Sequence, residues 1–313
     1  MKKVLFATTA LIATAGVASA DVTLSGSAQI GMAYTENTNN ADKTSEFTTQ
    51  SEAGLAVSMS GTTDGGLGFG ATFSIDGDNG NNADANVFIS GTFGKITVGN
   101  DTGRANAVAS LPDFGFDGMG FDDIVEDFQE TGGHDTRWSY TVGALTVGAS
   151  ADLNSNTSVN STTTASEDNA WGVGASYVVN DALTVAVGYT EQTNANGFGT
   201  GDAADDSATS LGLTYKAGAV TVSLAGVARE DGTTETDAAG ATIAYAIDSA
   251  STITVGYASA ETTVAANDEN GFAIGYTQSL GGGATFNAAY GYIDDSAQTE
   301  ENGRAQVGLT FSF

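Results

Sequence analysis

The stretch RAQVGLTFSF, residues 304–313, closes the sequence on a strict two-residue alternation. Its apolar members are Ala305, Val307, Leu309, Phe311 and Phe313. This alternation is typical of a β-strand with one apolar face and one polar face. Chain ends usually fray, so a strand that keeps its pattern to the last residue indicates that another strand pairs with it.

The first twenty residues, MKKVLFATTALIATAGVASA, have the three parts of a secretory signal peptide. Two lysines form the basic start, an apolar stretch runs from Val4 to about Val17, and Ala18-Ser19-Ala20 forms a small-residue cleavage signal. The apolar stretch is too short to span a bilayer as a helix. We therefore expect residues 1–20 to be cleaved and residues 21–313 to form the exported protein.

The composition excludes several classes of protein. The 313 residues carry 38 acidic and nine basic side chains, a net charge of −29. This charge excludes a nucleic-acid-binding protein, which needs basic patches against phosphate. The absence of cysteine excludes a disulfide framework and thiolate metal sites. The hydrophobic fraction of 41% argues against disorder.

Period-two patterns recur along the whole chain after residue 20, whereas helical periodicity is almost absent. They predict sixteen strands, most of them close to the length of about 9–11 residues that a tilted membrane strand needs. The predicted strands are 22–34, 46–60, 67–75, 86–93, 95–100, 136–143, 145–153, 170–179, 182–191, 207–216, 220–229, 238–248, 252–260, 270–279, 284–293 and 304–313.

The connections between these strands alternate in length. Short turns fall at 62–66, 93–95, 143–144, 180–182, 217–219, 248–251 and 280–284. Longer polar connections fall near 35–45, 76–85, 101–135, 154–169, 192–206, 230–237, 261–269 and 294–303. This pattern is typical of an antiparallel outer-membrane barrel. A soluble sandwich, a β-helix or a secreted adhesin would also show alternation, but its loops need not alternate in length.

A barrel in lipid must close, because each unpaired backbone N–H or C=O group in hydrocarbon costs several kcal/mol. The fold is therefore predicted to be all-β, a 16-stranded antiparallel transmembrane β-barrel whose last strand pairs with its first. Phe313 fits an interfacial aromatic position at the membrane boundary, and Phe311 precedes it on the same face.

Two motifs resemble general porins of the alphaproteobacterial, Rhodobacter-like type. The first is GTTDGGLGFGATFSIDGD near residues 61–78, and the second is NVFISGTFGKITVGNDTG near residues 86–103. The start DVTLSGSAQIGM and the closing LTFSF are also similar to that family. The resemblance implies a sixteen-stranded, homotrimeric, water-filled channel in the bacterial outer membrane, with the third long loop folded into the lumen to set its width.

The connection 101–135 is far longer than the others, and by position it is the third long loop. Phenylalanines and acidic residues alternate in its middle, which predicts that the rings pin the loop to the barrel wall while the carboxylates face water. The predicted constriction residues are Asp113, Asp117, Asp122, Asp123, Glu126, Asp127 and Glu130. The lone His134 has no partner set that predicts a metal ligand or a catalytic base.

Few basic residues are expected to oppose this loop. With apolar residues facing outward, parity points Arg137, Lys216, Arg229 and Arg304 into the lumen. Related porins commonly carry arginines on the second strand, whereas the matching EAGLAVSMSG points Glu52 and Gly54 inward and contains none. The sequence of this strand therefore does not predict the strong transverse field that opposed charges produce.

These observations predict a general diffusion porin that prefers cations and passes ions and small hydrophilic solutes. The protein is expected to reach the outer membrane after export through the periplasm. The acids of the loop could instead form a solvated surface of weak influence. The alternative function is a non-conducting barrel that acts as an adhesin or structural anchor. No nucleophile–base grouping predicts an enzyme. No cofactor is expected, although acidic loops such as GDAADD at 201–206 could bind Ca²⁺ and bridge to lipopolysaccharide.

Overall fold

The computed structural model describes residues 21–36, 46–76, 85–100, 102–129, 134–153, 169–193, 206–264, 268–295 and 300–313. These residues form sixteen strands, one helical turn and a short 3-10 helix. In the described part of the chain no helix is both long and apolar enough to cross a membrane. The expected signal peptide, residues 1–20, lies outside the described residues.

All sixteen predicted strands are present, most within two residues of their predicted bounds. They are β1 (Asp21–Thr35), β2 (Glu46–Thr62), β3 (Gly68–Asp76), β4 (Ala85–Gly91), β5 (Gly94–Gly99), β6 (Thr136–Val142), β7 (Leu145–Ala151), β8 (Asn169–Asn180), β9 (Leu183–Thr193), β10 (Asp206–Ala217), β11 (Val220–Asp231), β12 (Thr234–Ala246), β13 (Ser251–Thr262), β14 (Glu269–Gly281), β15 (Ala284–Asp295) and β16 (Glu300–Ser312). The helical turn α1 (Asp123–Glu126) and the 3-10 helix (Asp127–Gln129) lie between β5 and β6.

The sheet closes on itself through β1 and β16. Each strand pairs with its neighbours in the sequence, and β1 pairs antiparallel with β16 from Ser27↔Ser312 to Thr35↔Arg304. The pairing continues to the last residue, because the Gly26 N–H donates to the Phe313 carbonyl at 3.2 Å and the Phe313 N–H donates to the Gly26 carbonyl at 2.8 Å. The prediction that the final strand seals the barrel is confirmed.

Alternating residues separate the two faces of the barrel. Val22, Ile30 and Val307 are 63%, 55% and 45% exposed, which gives the outer face its apolar surface. Residues of the opposite parity, such as Ala33 and Ala289, are buried. An apolar exterior of this kind is what a sheet in hydrocarbon requires.

One predicted connection is wrong. The segment 230–237 was expected to be a long polar loop, yet β11 and β12 are joined by residues 232–233 alone, with Gly232 at φ +62°. The added residues of β12, Thr234–Asp237, are polar on both faces, so alternation of hydrophobicity cannot reveal them. The strict alternation of long and short connections therefore fails at this hairpin.

Candidate functional site: an inner loop and the opening beside it

Residues 102–129, named here the inner loop, lie against the inner face of the barrel at widely separated strands. Ala105 lies against Gly174 of β8, and Phe116 lies against Gly31 of β1 and Gly308 of β16. Strands β8 and β16 stand opposite each other in the ring of sixteen. The inner loop therefore crosses the interior.

A polar network joins the two ends of the inner loop to each other and to the wall. The Gln129 side chain accepts from the Ala109 N–H at 3.0 Å and donates to the Ala109 carbonyl at 3.1 Å. Asn106 donates to the Gln129 carbonyl at 2.7 Å, and Ser210 of β10 donates to the Asn106 carbonyl. Because buried backbone groups need such partners, these bonds fix where the loop enters and leaves the interior.

His134 and Ser150 extend this network on the β6–β7 side. His134 is 7% exposed, and its Nδ1 lies 2.7 Å from the Ser150 Oγ. The same hydroxyl accepts from the Ala105 N–H at 2.8 Å, and Thr102 donates to the His134 carbonyl at 2.7 Å. The histidine therefore serves as a structural brace at the base of the inner loop.

The middle of the inner loop packs as a dry core against β11–β15. Phe114 and Phe121 meet edge to face with ring centroids 4.9 Å apart, and Ile124 and Val125 are completely buried. The facing wall is made of small residues, such as Ala258, which is also fully buried. Burying each large apolar side chain contributes about 1.5–3 kcal/mol, so this core is the main attachment of the loop.

An opening of about 810 Å³ remains between the inner loop and strands β1, β2 and β16. Four of the seven predicted acidic residues line it, namely Asp113, Asp117, Asp122 and Asp123. Glu126 lies elsewhere and accepts from the Leu111 N–H at 2.7 Å. Asp127 is exposed and away from the opening, and Glu130 lies outside the described residues.

The barrel wall of the opening is mostly neutral and polar. Its side chains include Gln29, Thr35, Thr48, Gln50, Glu52, Arg304 and Gln306. Glu52 accepts from the Gln29 amide at 2.7 Å, and Gln29 also donates to Asp117. Sequence reasoning missed the three glutamines, although the parity of β1, β2 and β16 already pointed them inward.

Arg304 is the single basic residue among the described residues that line the opening. Its guanidinium donates to the Met119 carbonyl at 2.7 Å. The other predicted basic residues lie elsewhere. Arg137 approaches Gly103 at the base of the inner loop, Lys216 is exposed near the short turn at 218–219, and Arg229 forms two hydrogen bonds of 3.0 and 2.7 Å with Asp206.

Two carboxyl groups of the inner loop have raised pKa values. Burial, the negative charge of Asp113 and a hydrogen bond with Asp113 together raise the pKa of Asp122 to about 7. Burial also raises the pKa of Glu126, partly offset by its hydrogen bond from the Leu111 N–H. Near neutral pH the charge of the opening therefore depends on the protonation of Asp122.

Metal binding finds no support in the part of the chain that the structure describes. No group of three or more His, Asp or Glu side chains there could hold a metal ion. Most of the acidic run at 201–206, where Ca²⁺ binding was considered, lies outside the described residues.

The aromatic residues at the chain end lie on the outer face. Phe313 is 79% exposed, and its ring stacks at 6.5 Å centroid distance on that of Phe311. These rings lie beside the seam between β1 and β16, where Phe313 also contacts Gly26.

Comparison with known proteins gives concordant results. A sequence profile described as Gram-negative porin matches residues 7–298. A porin of Rhodobacter capsulatus is 32% identical over 196 residues, which are 54% of this chain and 56% of that relative. The match thus spans little more than half the length of the relative.

Solved structures share the fold. A porin refined at 1.8 Å resolution has a TM-score of 0.71 with 23% identity, covering 94% of this chain and all of the other. An anion-selective porin from Comamonas acidovorans has a TM-score of 0.72 with 19% identity and the same coverage. With the profile match over most of its length, the chain belongs to the family of Gram-negative porins.

Proposed function

We propose that this protein is a passive diffusion channel of the bacterial outer membrane, through which ions and small hydrophilic solutes pass beside the inner loop. The observation that carries the proposal is the 810 Å³ opening with its polar lining. The loop fills the β11–β15 side with a dry core and leaves the β1, β2 and β16 side open. The family and the fold indicate a channel rather than an enzyme. The sequence supports export of residues 21–313 after removal of residues 1–20.

The charges around the opening support a preference for cations. Four aspartates and Glu52 line it, against one arginine. A narrow lumen with low-dielectric walls focuses the field of like charges. One protein of similar fold is an anion-selective porin, so the lining residues of each chain, rather than the barrel, set the sign of the selectivity.

Reversal potentials across a KCl gradient in planar bilayers test this proposal. We expect the sign that indicates K⁺ permeation over Cl⁻, with a larger preference at low salt, where screening is weaker. A preference for Cl⁻ would reject the assigned role of the acidic loop. Absence of any current from correctly folded protein would favour the alternative of a non-conducting barrel used as an anchor or adhesin.

A homotrimer is supported by the height of the barrel wall. Strands β5, β6 and β7 have six, seven and seven residues. At about 3.3 Å per residue and a tilt near 40°, they rise only about 15–18 Å. The apolar band of an outer-membrane barrel is about 25 Å tall. A neighbouring copy of the chain would shield this low part of the wall from lipid.

Subunit assembly has a direct electrical test. Refolded protein is expected to insert as units that close in three equal steps, each of the same ohmic conductance. Analytical ultracentrifugation in detergent checks the mass independently. Monomers that conduct in single steps would reject the trimer and leave the channel function intact.

Selectivity is expected to rise with pH between 6 and 8. The raised pKa of Asp122, about 7, means that the group is mainly protonated at pH 6 and mainly ionised at pH 8. Ionisation adds one negative charge to an opening shared with Asp113 and Asp123. One charge at about 7 Å changes the ratio of K⁺ to Cl⁻ permeability about two- to threefold.

The Asp122→Asn variant is the matched control for this pH effect, since the amide cannot ionise. Its permeability ratio should stay constant over the same pH range. An equally steep pH dependence in the variant would show that another group titrates and would exclude Asp122 as the source.

A further inference from the structure

The tip of the inner loop is held by side chains of β16 rather than by its own backbone. The tip, residues 115–120, turns sharply, with Gly115, Gly118 and Gly120 at φ values of +87°, +66° and +72°. Among the described residues, no backbone–backbone hydrogen bond involves this segment. Its polar groups need partners, because unsatisfied backbone groups away from water are costly.

Among the described residues, Gln306 makes three of the four side-chain hydrogen bonds to the backbone of the tip. Its Oε1 accepts from the Phe116 N–H at 3.2 Å and the Asp117 N–H at 3.3 Å, and its Nε2 donates to the Gly118 carbonyl at 2.6 Å. One side chain thus binds three consecutive residues of the tip. The tip carries Asp117 on the edge of the opening, so its position determines both the width of the opening and the place of that charge.

The place of Gln306 in the fold suits this role. It lies in register with Ala33 of β1 and Ala289 of β15, within the seam that closes the barrel. Its backbone is fixed on both sides by these pairings, so the amide group is presented from a rigid element. Two residues earlier on the same strand, Arg304 binds the Met119 carbonyl.

We propose that Gln306 is the positioning residue of the pore: it fixes the tip of the inner loop and so sets the width of the opening. This inference rests on the proposed channel function. Loss of the side chain would remove three hydrogen bonds from the tip and loosen it, although Gln29 still donates to Asp117 and Arg304 still donates to the Met119 carbonyl. The dry core around Phe121 would keep the rest of the loop in place. The opening would then fluctuate in width.

Hydrogen exchange of the Phe116 and Asp117 amides tests the inference directly. In Gln306→Ala, exchange at these two amides should accelerate on the order of a hundredfold, the factor that three hydrogen bonds of ordinary net strength imply. Single-channel current should become noisy in the same variant. Gln306→Glu keeps the acceptor oxygens, so protection of both amides should largely survive, whereas the bond to Gly118 is lost.

Gln50→Ala is the matched control. Gln50 lines the same opening, and its side-chain Oε1 is buried without a hydrogen-bond partner among the described residues. Gln50→Ala removes the same atoms from the lining of the opening as Gln306→Ala does. Hydrogen exchange of the Phe116 and Asp117 amides should nevertheless stay at the wild-type rate. Wild-type exchange and quiet current in Gln306→Ala would overturn the inference, while a silent wild-type barrel would overturn the channel function instead.

Discussion

Replacing Asp113, Asp117, Asp122 and Asp123 together with asparagine is expected to abolish the preference for cations. Among the described residues that line the opening, the change leaves Glu52 and Arg304 as the charged ones, and their charges cancel. Each carboxylate at about 7 Å contributes about 0.6 kcal/mol in water. After screening by salt, we expect the ratio of K⁺ to Cl⁻ permeability to fall on the order of tenfold.

Asp127→Asn is the control for this variant, because Asp127 is an exposed acid of the same loop that does not line the opening. Its reversal potential should stay close to the wild-type value. If the fourfold variant kept its full cation preference, the selectivity would have to arise elsewhere on the barrel, and the inner loop would be a solvated surface of weak influence.

The substitution Gly256→Leu is expected to displace the inner loop toward the opening and narrow the pore. A Cβ atom at this glycine would lie 2.6 Å from the Phe121 ring and 3.0 Å from the Thr242 methyl group. Phe121 is 1% exposed and packs edge to face on Phe114, so it has no space into which to move. Overpacking of this kind typically costs about 1–3 kcal/mol.

The measurement is single-channel conductance, which should fall because the leucine pushes the loop off the β13 wall and toward the opening beside β1, β2 and β16. Gly226→Leu on β11 is the control, since a Cβ there has one neighbour within 4 Å, the Ala238 carbonyl oxygen at 3.8 Å. Both variants place leucine in a strand, so a difference between them reports on the loop. Equal conductance in wild type, Gly256→Leu and Gly226→Leu would contradict the packing account.

The sequence was sufficient to predict the barrel because lipid imposes a simple rule. Apolar side chains such as Val22, Ile30 and Val307 face outward. Because alternate residues of a membrane strand face lipid, each strand has apolar residues at every second position. Parts of a strand that extend beyond the lipid do not need this alternation. Thr234–Asp237 extends β12 beyond the predicted start, and polar residues on both faces carry no such signal.

The interior was less predictable, since the inner wall near β11–β15 is neither wet nor strongly apolar. The sequence does not predict that the barrel wall under the dry core consists of small residues such as Ala238, Gly240 and Ala258. Small residues are required there by the bulk of Leu111 and Phe121, which arrive from a distant part of the chain. Parity alone cannot predict such a contact.

The acidic side of the opening was apparent from residue type, but the neutral side was not. Attention to charge selected Arg137 and Arg229, whereas the structure places Arg137 at the base of the inner loop and pairs Arg229 with Asp206. Gln306 carries no charge, and no motif or pattern in the sequence distinguishes it from the other polar residues of the strands. Its importance comes from where the tip of the loop meets β16, which depends on the closed barrel.

Closure of the barrel between β1 and β16 is the central claim, and a disulfide trap tests it most directly. The chain has no cysteine. A disulfide within a subunit that carries two introduced cysteines therefore shows that those two positions lie close together. Ile30 and Leu309 are register partners, and paired residues have Cα atoms about 4.5–5.5 Å apart, within the range that a disulfide spans. The control pair joins Ile30 to Val147 on β7, across the barrel.

Ile30→Cys/Leu309→Cys should form its disulfide quantitatively in the folded protein, detected by mass spectrometry after blocking free thiols, with conductance retained. Ile30→Cys/Val147→Cys should keep two free thiols in every subunit. Free thiols at positions 30 and 309 in conducting protein would contradict the closed seam.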